Sequence, residues 1–167
     1  MLKFSLTESD IKEAEYRSKL AGTMSASRFE GRGNVIGFLG ELITARYTGG
    51  EIVDTYDYDI KVKDLKVDVK TKGVSSPPRG HYLCSVMEYQ LENDSDIYVF
   101  VRINLTSKTA WLLGSITKSR LLADGLVQKR GDLDGDWEVK EDCRSIRIDQ
   151  LDHIATLSCV EDTRERF

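Results

Sequence analysis

The chain has 167 residues, 40% hydrophobic and 31% charged, with a formal net charge of -4 and a pI near 5.3. Such a length suits one domain, and such a composition an ordinary globular core. The acidic balance excludes a protein that coats nucleic acid by bulk charge.

The charge is nevertheless uneven. Residues 17–32 carry Arg17, Lys19, Arg28 and Arg32 against Glu30. Residues 60–72 set five lysines against Asp64 and Asp68, and residues 131–143 set six acids against Lys140. The three cysteines, Cys84, Cys143 and Cys159, make no C-x-x-C pair and no even-numbered framework. They read as reduced thiols of a cytoplasmic protein, or of the host cytoplasm for a viral chain. The first ten residues turn acidic at once and lack the apolar region of a signal peptide. No apolar run approaches the ~18 residues of a membrane span, so a membrane partner is not expected.

In chain order, residues 7–22 predict a first helix, capped by Ser5 with Glu8 or by Thr7 with Asp10. A loop with Arg28, Gly31, Arg32 and Gly33 follows. Residues 34–47 predict a second helix, because Val35, Phe38, Leu39, Leu42 and Ile43 recur at three- and four-residue steps. Glu41 falls about 60° from Phe38, on the shoulder of that apolar face. Gly49-Gly50 ends the helix.

Asp59 to Lys72 alternates. Ile60 and Val62, then Leu65, Val67 and Val69, are apolar, with polar residues between them. Period two is the strand signature, and Lys63-Asp64 marks the turn of a hairpin. Asp68 and Lys70, two apart, point the same way from one strand, and Asp59 lies on its neighbour. Residues 73–80 hold both prolines and form a kinked loop. Strands follow at 82–87 and at 96–103, the second apolar enough for burial on both faces. Another runs over 111–116. Thr117 caps a short helix over 118–124, short strands fall within 137–148, and 149–157 is a short helix or irregular. Residues 131–143 read as an acidic surface turn that keeps DNA off that side. This order fits one α/β domain, residues 1–167, with a mixed sheet.

The set Glu41, Asp59 and Asp68-Val69-Lys70 resembles the PD-(D/E)XK nuclease superfamily over roughly residues 34–72. Tyr58 stands where the family pattern has Pro. The resemblance implies a restriction-endonuclease-like fold, a central mixed β-sheet flanked by helices. It also implies a Mg²⁺-dependent endonuclease acting on DNA, with Mn²⁺ able to substitute. Asp59, Asp68 and the Val69 carbonyl would hold the metal. Lys70 would orient water and phosphate, and Glu41 would hold a second metal or its water. Asp54 and Asp57 compete with Asp59 for the metal position. Gln90 is a further catalytic candidate, since some branches carry a Gln after the Lys strand. Lys72, with the loop residues Arg28, Arg32, Arg79 and His81, is a candidate for backbone phosphate contact. A variant acting on four-way junctions calls for a homodimer. The alternative function is a catalytically inactive nucleic-acid-binding or protein-interaction module on the same fold.

Overall fold

The structure, a computed structural model, describes residues 1–23, 32–53, 55–135 and 137–157. Its first elements are strand β1 (Leu2–Ser5), helix α1 (Glu8–Thr23) and helix α2 (Arg32–Thr48). The start of α1 is a reciprocal cap. Asp10 N–H donates to Thr7 Oγ1 at 3.1 Å, and Thr7 N–H donates to Asp10 Oδ2 at 2.8 Å. Of the two caps the sequence offers, this is the one formed. Helix α2 starts two residues before the position its apolar stripe predicts. It ends at Gly49, whose φ of 69° is a left-handed conformation that glycine adopts freely.

Strands β2 (Glu51–Ile52), β3 (Ile60–Val62) and β4 (Leu65–Gly73) follow. Strands β3 and β4 form the expected hairpin, with Lys63 in the turn at φ 55°. The chain continues through β5 (Leu83–Met87), a 3-10 turn at Glu88–Glu92, β6 (Ile97–Asn104), β7 (Thr109–Thr117) and α3 (Lys118–Asp124). Thr117 accepts from Arg120 N–H at 3.2 Å and so caps α3. The remainder is β8 (Leu126–Gln128), the small hairpin β9 (Leu133–Asp134) and β10 (Trp137–Glu138), β11 (Cys143–Arg147) and two 3-10 turns.

The main sheet has six strands in the order β1-β7-β6-β4-β3-β2. Only β4 and β6 run parallel among its pairs. A separate three-stranded sheet, β5-β11-β8, is antiparallel. The molecule is therefore α/β with a mixed sheet. Its two faces are covered differently from the expected pair of helical layers. Helices α1 and α2 cover one face, and the small sheet with α3 covers the other.

All eight residues of β6 are buried, which explains its continuous apolar run. Val99, Val101 and Ile103 join Leu39 and Ile43 of α2 in one core. Tyr98 and Phe100, alternating with them, join Cys84 and Val86 of β5 and Ile146 of β11 in the other. Each aliphatic side chain fully buried in this way contributes about 1.5–3 kcal/mol. Arg102 of β6, 7% exposed, joins the two sheets by donating to the Leu83 carbonyl at 3.1 Å. Cys84 and Cys143 are buried free thiols, and burial pushes the Cys84 thiol up to about 11.

A bulge interrupts the β6–β7 ladder. Phe100 faces Gly114, yet the next residue, Val101, faces Leu112, so Leu113 has no partner of its own. Gly114 has φ 152°, and a Cβ there would lie 2.5 Å from the Asp152 carbonyl oxygen. The bulge changes the parity of β7. Leu113 and Ile116, three apart, both enter the core beneath the small sheet.

Candidate active site on strands β3 and β4

Strand β4 alternates as its sequence predicts. Val67 and Val69 pack against the helical layer, and Asp68 and Lys70 stand on the opposite side. Strand β3 is short. Its ladder with β4 runs from Val62–Leu65 to Ile60–Val67. Asp59 extends the pairing by donating its N–H to the Val67 carbonyl at 3.0 Å. The next β4 donor on that edge, Val69 N–H, meets a side chain. It donates to Asp59 Oδ2 at 2.7 Å. The Val69 carbonyl faces the same edge, because both backbone groups of a strand residue point to one side.

The Asp59 carboxyl lies close enough to that of Asp68 for the two charges to act on each other. Burial, and then the charge of Asp68, push the Asp59 carboxyl up to about 7. The Val69 N–H and the Lys70 ammonium act in the other direction without overcoming them. Asp68 is 5% exposed, and its Oδ2 lies 2.8 Å from Lys70 Nζ. The structure thus gathers Asp59, Asp68, Val69 and Lys70 at the point where β3 ends and the edge of β4 opens. Of the competing acids, Asp59 is the one that receives the Val69 N–H. Asp57 is half-buried in the preceding loop, and Asp54 lies outside the described residues.

Tyr98, which sequence reasoning missed, faces Asp68 across the parallel β4–β6 ladder. Burial raises its hydroxyl, and the charge of Asp68 adds to the rise. The hydroxyl donates to the Gln90 carbonyl at 3.5 Å. Gln90 itself closes the 3-10 turn, its Oε1 accepting from Met87 N–H at 3.4 Å. Nothing in the sequence marks Tyr98, because its apolar neighbours and its parallel pairing hide it.

Glu41 is half-buried on α2, one residue past the closest approach of that helix to β4. There a Cβ on Gly40 would lie 1.9 Å from Thr71 Oγ1, so only glycine lets the helix sit this low. Thr71 Oγ1 is buried there with no hydrogen-bond partner among the described residues. Lys72 is exposed, with Nζ 5.5 Å from the centroid of Trp137 on β10. The segment 131–143, read from sequence as a turn, therefore holds a hairpin that touches β4. Arg79 and His81 are exposed in the connection to β5, where His81 packs edge-on against Tyr82 at 4.8 Å. Arg28 lies outside the described residues, as does the side chain of Arg32.

The donor set suits a hard divalent cation. Two carboxylates press together, with one backbone carbonyl on the same edge, and oxygen ligands of this kind bind Mg²⁺ or Mn²⁺. Their mutual repulsion, visible in the raised Asp59, is what a cation would relieve. Among the described residues, no group of three or more His, Cys, Asp or Glu is gathered around one point. The assembled carboxylates are the Asp59–Asp68 pair. No described helix is long and apolar enough to cross a membrane. The chain matches no protein-family model, and no curated protein resembles it significantly.

Proposed function

We propose that the protein is a metal-dependent nuclease of the PD-(D/E)XK type on a restriction-endonuclease-like sheet, hydrolysing phosphodiester bonds in DNA. One observation carries this reading. Asp59, held by Val69 N–H at 2.7 Å, stands with Asp68 at an open strand edge, with Lys70 Nζ 2.8 Å from Asp68.

Asp59, Asp68 and the Val69 carbonyl would hold Mg²⁺ or Mn²⁺. When bound, the metal supplies a Lewis acid for the scissile phosphate and makes water acidic enough to attack at neutral pH. Asp59 is held in place by Val69 N–H, so its free oxygen keeps a fixed direction. Asp68 is held by Lys70. Lys70, 2.8 Å from Asp68 and on the same face, would direct its ammonium at a phosphate oxygen or at the attacking water. Glu41, from α2, is the proposed third acid.

A second reading, a non-catalytic nucleic-acid-binding module, is favoured by the same ion pair, which satisfies Lys70 without any ligand. Incubation of the purified protein with plasmid and single-stranded DNA in Mg²⁺ or Mn²⁺ separates the two. Cleavage that disappears in Asp68→Asn and in Lys70→Ala supports the nuclease. Cleavage that survives in both variants, or is absent from the wild type while Mg²⁺ fails to bind in calorimetry, sinks it.

A further inference from the structure

The site has a second feature beside its carboxylates. Hairpin β9–β10 reaches across to β4 and sets Trp137 over Lys72, two residues along the same strand face as Lys70. Trp137 is 66% exposed and Leu133, on the facing strand, 73%. The indole leaves a flat apolar face open next to a lysine. Tyr89, 54% exposed, precedes Gln90, whose carbonyl receives the Tyr98 hydroxyl.

We infer that Trp137 is a stacking platform for an unpaired nucleobase, and that the site takes a single-stranded or splayed DNA strand rather than an intact duplex. This rests on the nuclease reading for the identity of the ligand. Two observations fix how the strand would lie. Lys72, exposed on β4 beside the Lys70–Asp68 pair, offers a positive charge suited to a backbone phosphate. The hairpin around Trp137 is acidic, and its charges are partly occupied. Glu138 pairs with Lys140 at 3.2 Å, Asp142 with Lys129 at 2.9 Å, and Asp132 accepts from Lys129 N–H at 2.7 Å. An acidic hairpin repels phosphate but not the face of a neutral base. The phosphates therefore lie toward Lys72, with bases turned toward the indole. A base paired inside a duplex has no free face to offer, whereas an unpaired one stacks readily on an aromatic ring.

The protein contains two tryptophans, and Trp111 is only 6% exposed, so quenching by a stacked base reports on Trp137. The test is a titration of the full chain in EDTA, where no hydrolysis occurs. One arm uses a single strand of about 12 nucleotides, within the site size of such platforms. The other uses a hairpin duplex of the same length. The single strand should quench tryptophan emission and bind more tightly than the duplex. Trp137→Ala should weaken single-strand binding by about tenfold, the scale of one lost stacking contact. Trp137→Phe, which keeps a ring, should restore most of that loss and controls for folding. Equal binding of both forms overturns the inference, as does unchanged single-strand affinity in Trp137→Ala, or a loss that Phe does not restore. Because binding is read without metal, a protein that binds and quenches but never cleaves removes the nuclease reading and leaves the platform standing. A protein that cleaves duplex and shows no quenching does the reverse.

Discussion

Asp59 Oδ2 accepts the Val69 N–H at 2.7 Å, so a side chain completes the ladder that β3 leaves unfinished. The carboxyl that makes this bond is also the one displaced up to about 7, chiefly by burial and then by Asp68. A carboxyl raised in the folded state holds its proton there after the unfolded chain has lost its own. Stability contributed by that proton is fully present below the unfolded value of 3.8 and is lost as pH rises toward about 7. The metal-free protein should lose stability across that window. Asp59→Asn keeps an acceptor for Val69 and cannot ionise, so it should flatten the slope and exceed the wild type above pH 7. Urea unfolding at several pH values reads this directly, and a wild-type slope retained in Asp59→Asn would remove the account.

Divalent metal should reverse the same trend. At pH 8 the carboxylate pair is available, and any ligand that binds only the folded state raises stability, by about 2.7 kcal/mol at a hundred times its dissociation constant. Thermal melts should shift upward with millimolar Mg²⁺ or Mn²⁺ at pH 8 and shift little at pH 5, where Asp59 keeps its proton. Asp59→Asn and Asp68→Asn should both lose the shift. A shift of equal size at both pH values would place the metal elsewhere.

Removing Lys70 leaves Asp68 without its partner while still nearly buried, the side chains being 19% and 7% exposed in the pair. Breaking such a pair from one side costs about 3–5 kcal/mol. Lys70→Ala should therefore unfold more easily, and the loss should be larger at pH 8, where Asp59 beside Asp68 has lost its proton, than at pH 5. Added Mg²⁺ should recover part of it at pH 8. Stability measured at matched metal concentrations checks each point, and a loss independent of pH would contradict it.

Helix α2 should be equally sensitive at Gly40. A single methyl there meets Thr71 Oγ1, and crowding of this kind costs about 1–3 kcal/mol. Gly40→Ala should destabilise the protein, and Thr71→Ala made with it should restore part of the loss by opening the same space. Additive losses in the double variant would show that the two residues do not share a contact.

Much of this architecture was legible because its signals are local. The Thr7–Asp10 cap, the Thr117 cap of α3, the Lys63-Asp64 turn and the apolar run of β6 each sit within a few residues of what they determine. Parity put Asp68 and Lys70 on one face of β4, but Asp57 shares the parity of Asp59, and only the Val69 N–H contact separates the two. What was hidden depends on distant pairing. β1 is a four-residue edge strand with only two half-buried side chains, so its pattern is weak until β7 pairs with it. β8 offers two exposed apolar residues, Leu126 and Val127, where a core pattern would bury one. Tyr98 became a neighbour of Asp68 through a parallel register that no sequence period encodes. Trp137, flanked by acids, gave no sign that it would reach Lys72.

The bulge in β7 gives the chain one residue more than the ladder with β6 requires. Without Leu113 the ladder would run on regularly, with Leu112 still facing Val101 and Ile116 still facing Tyr98, so the other side chains would keep their sides. What the extra residue adds is the Leu113 side chain in the core beneath the small sheet. In terms of chain length, β7 should tolerate a one-residue deletion at Leu113, unfolding cooperatively but at a lower urea concentration for want of one buried leucine.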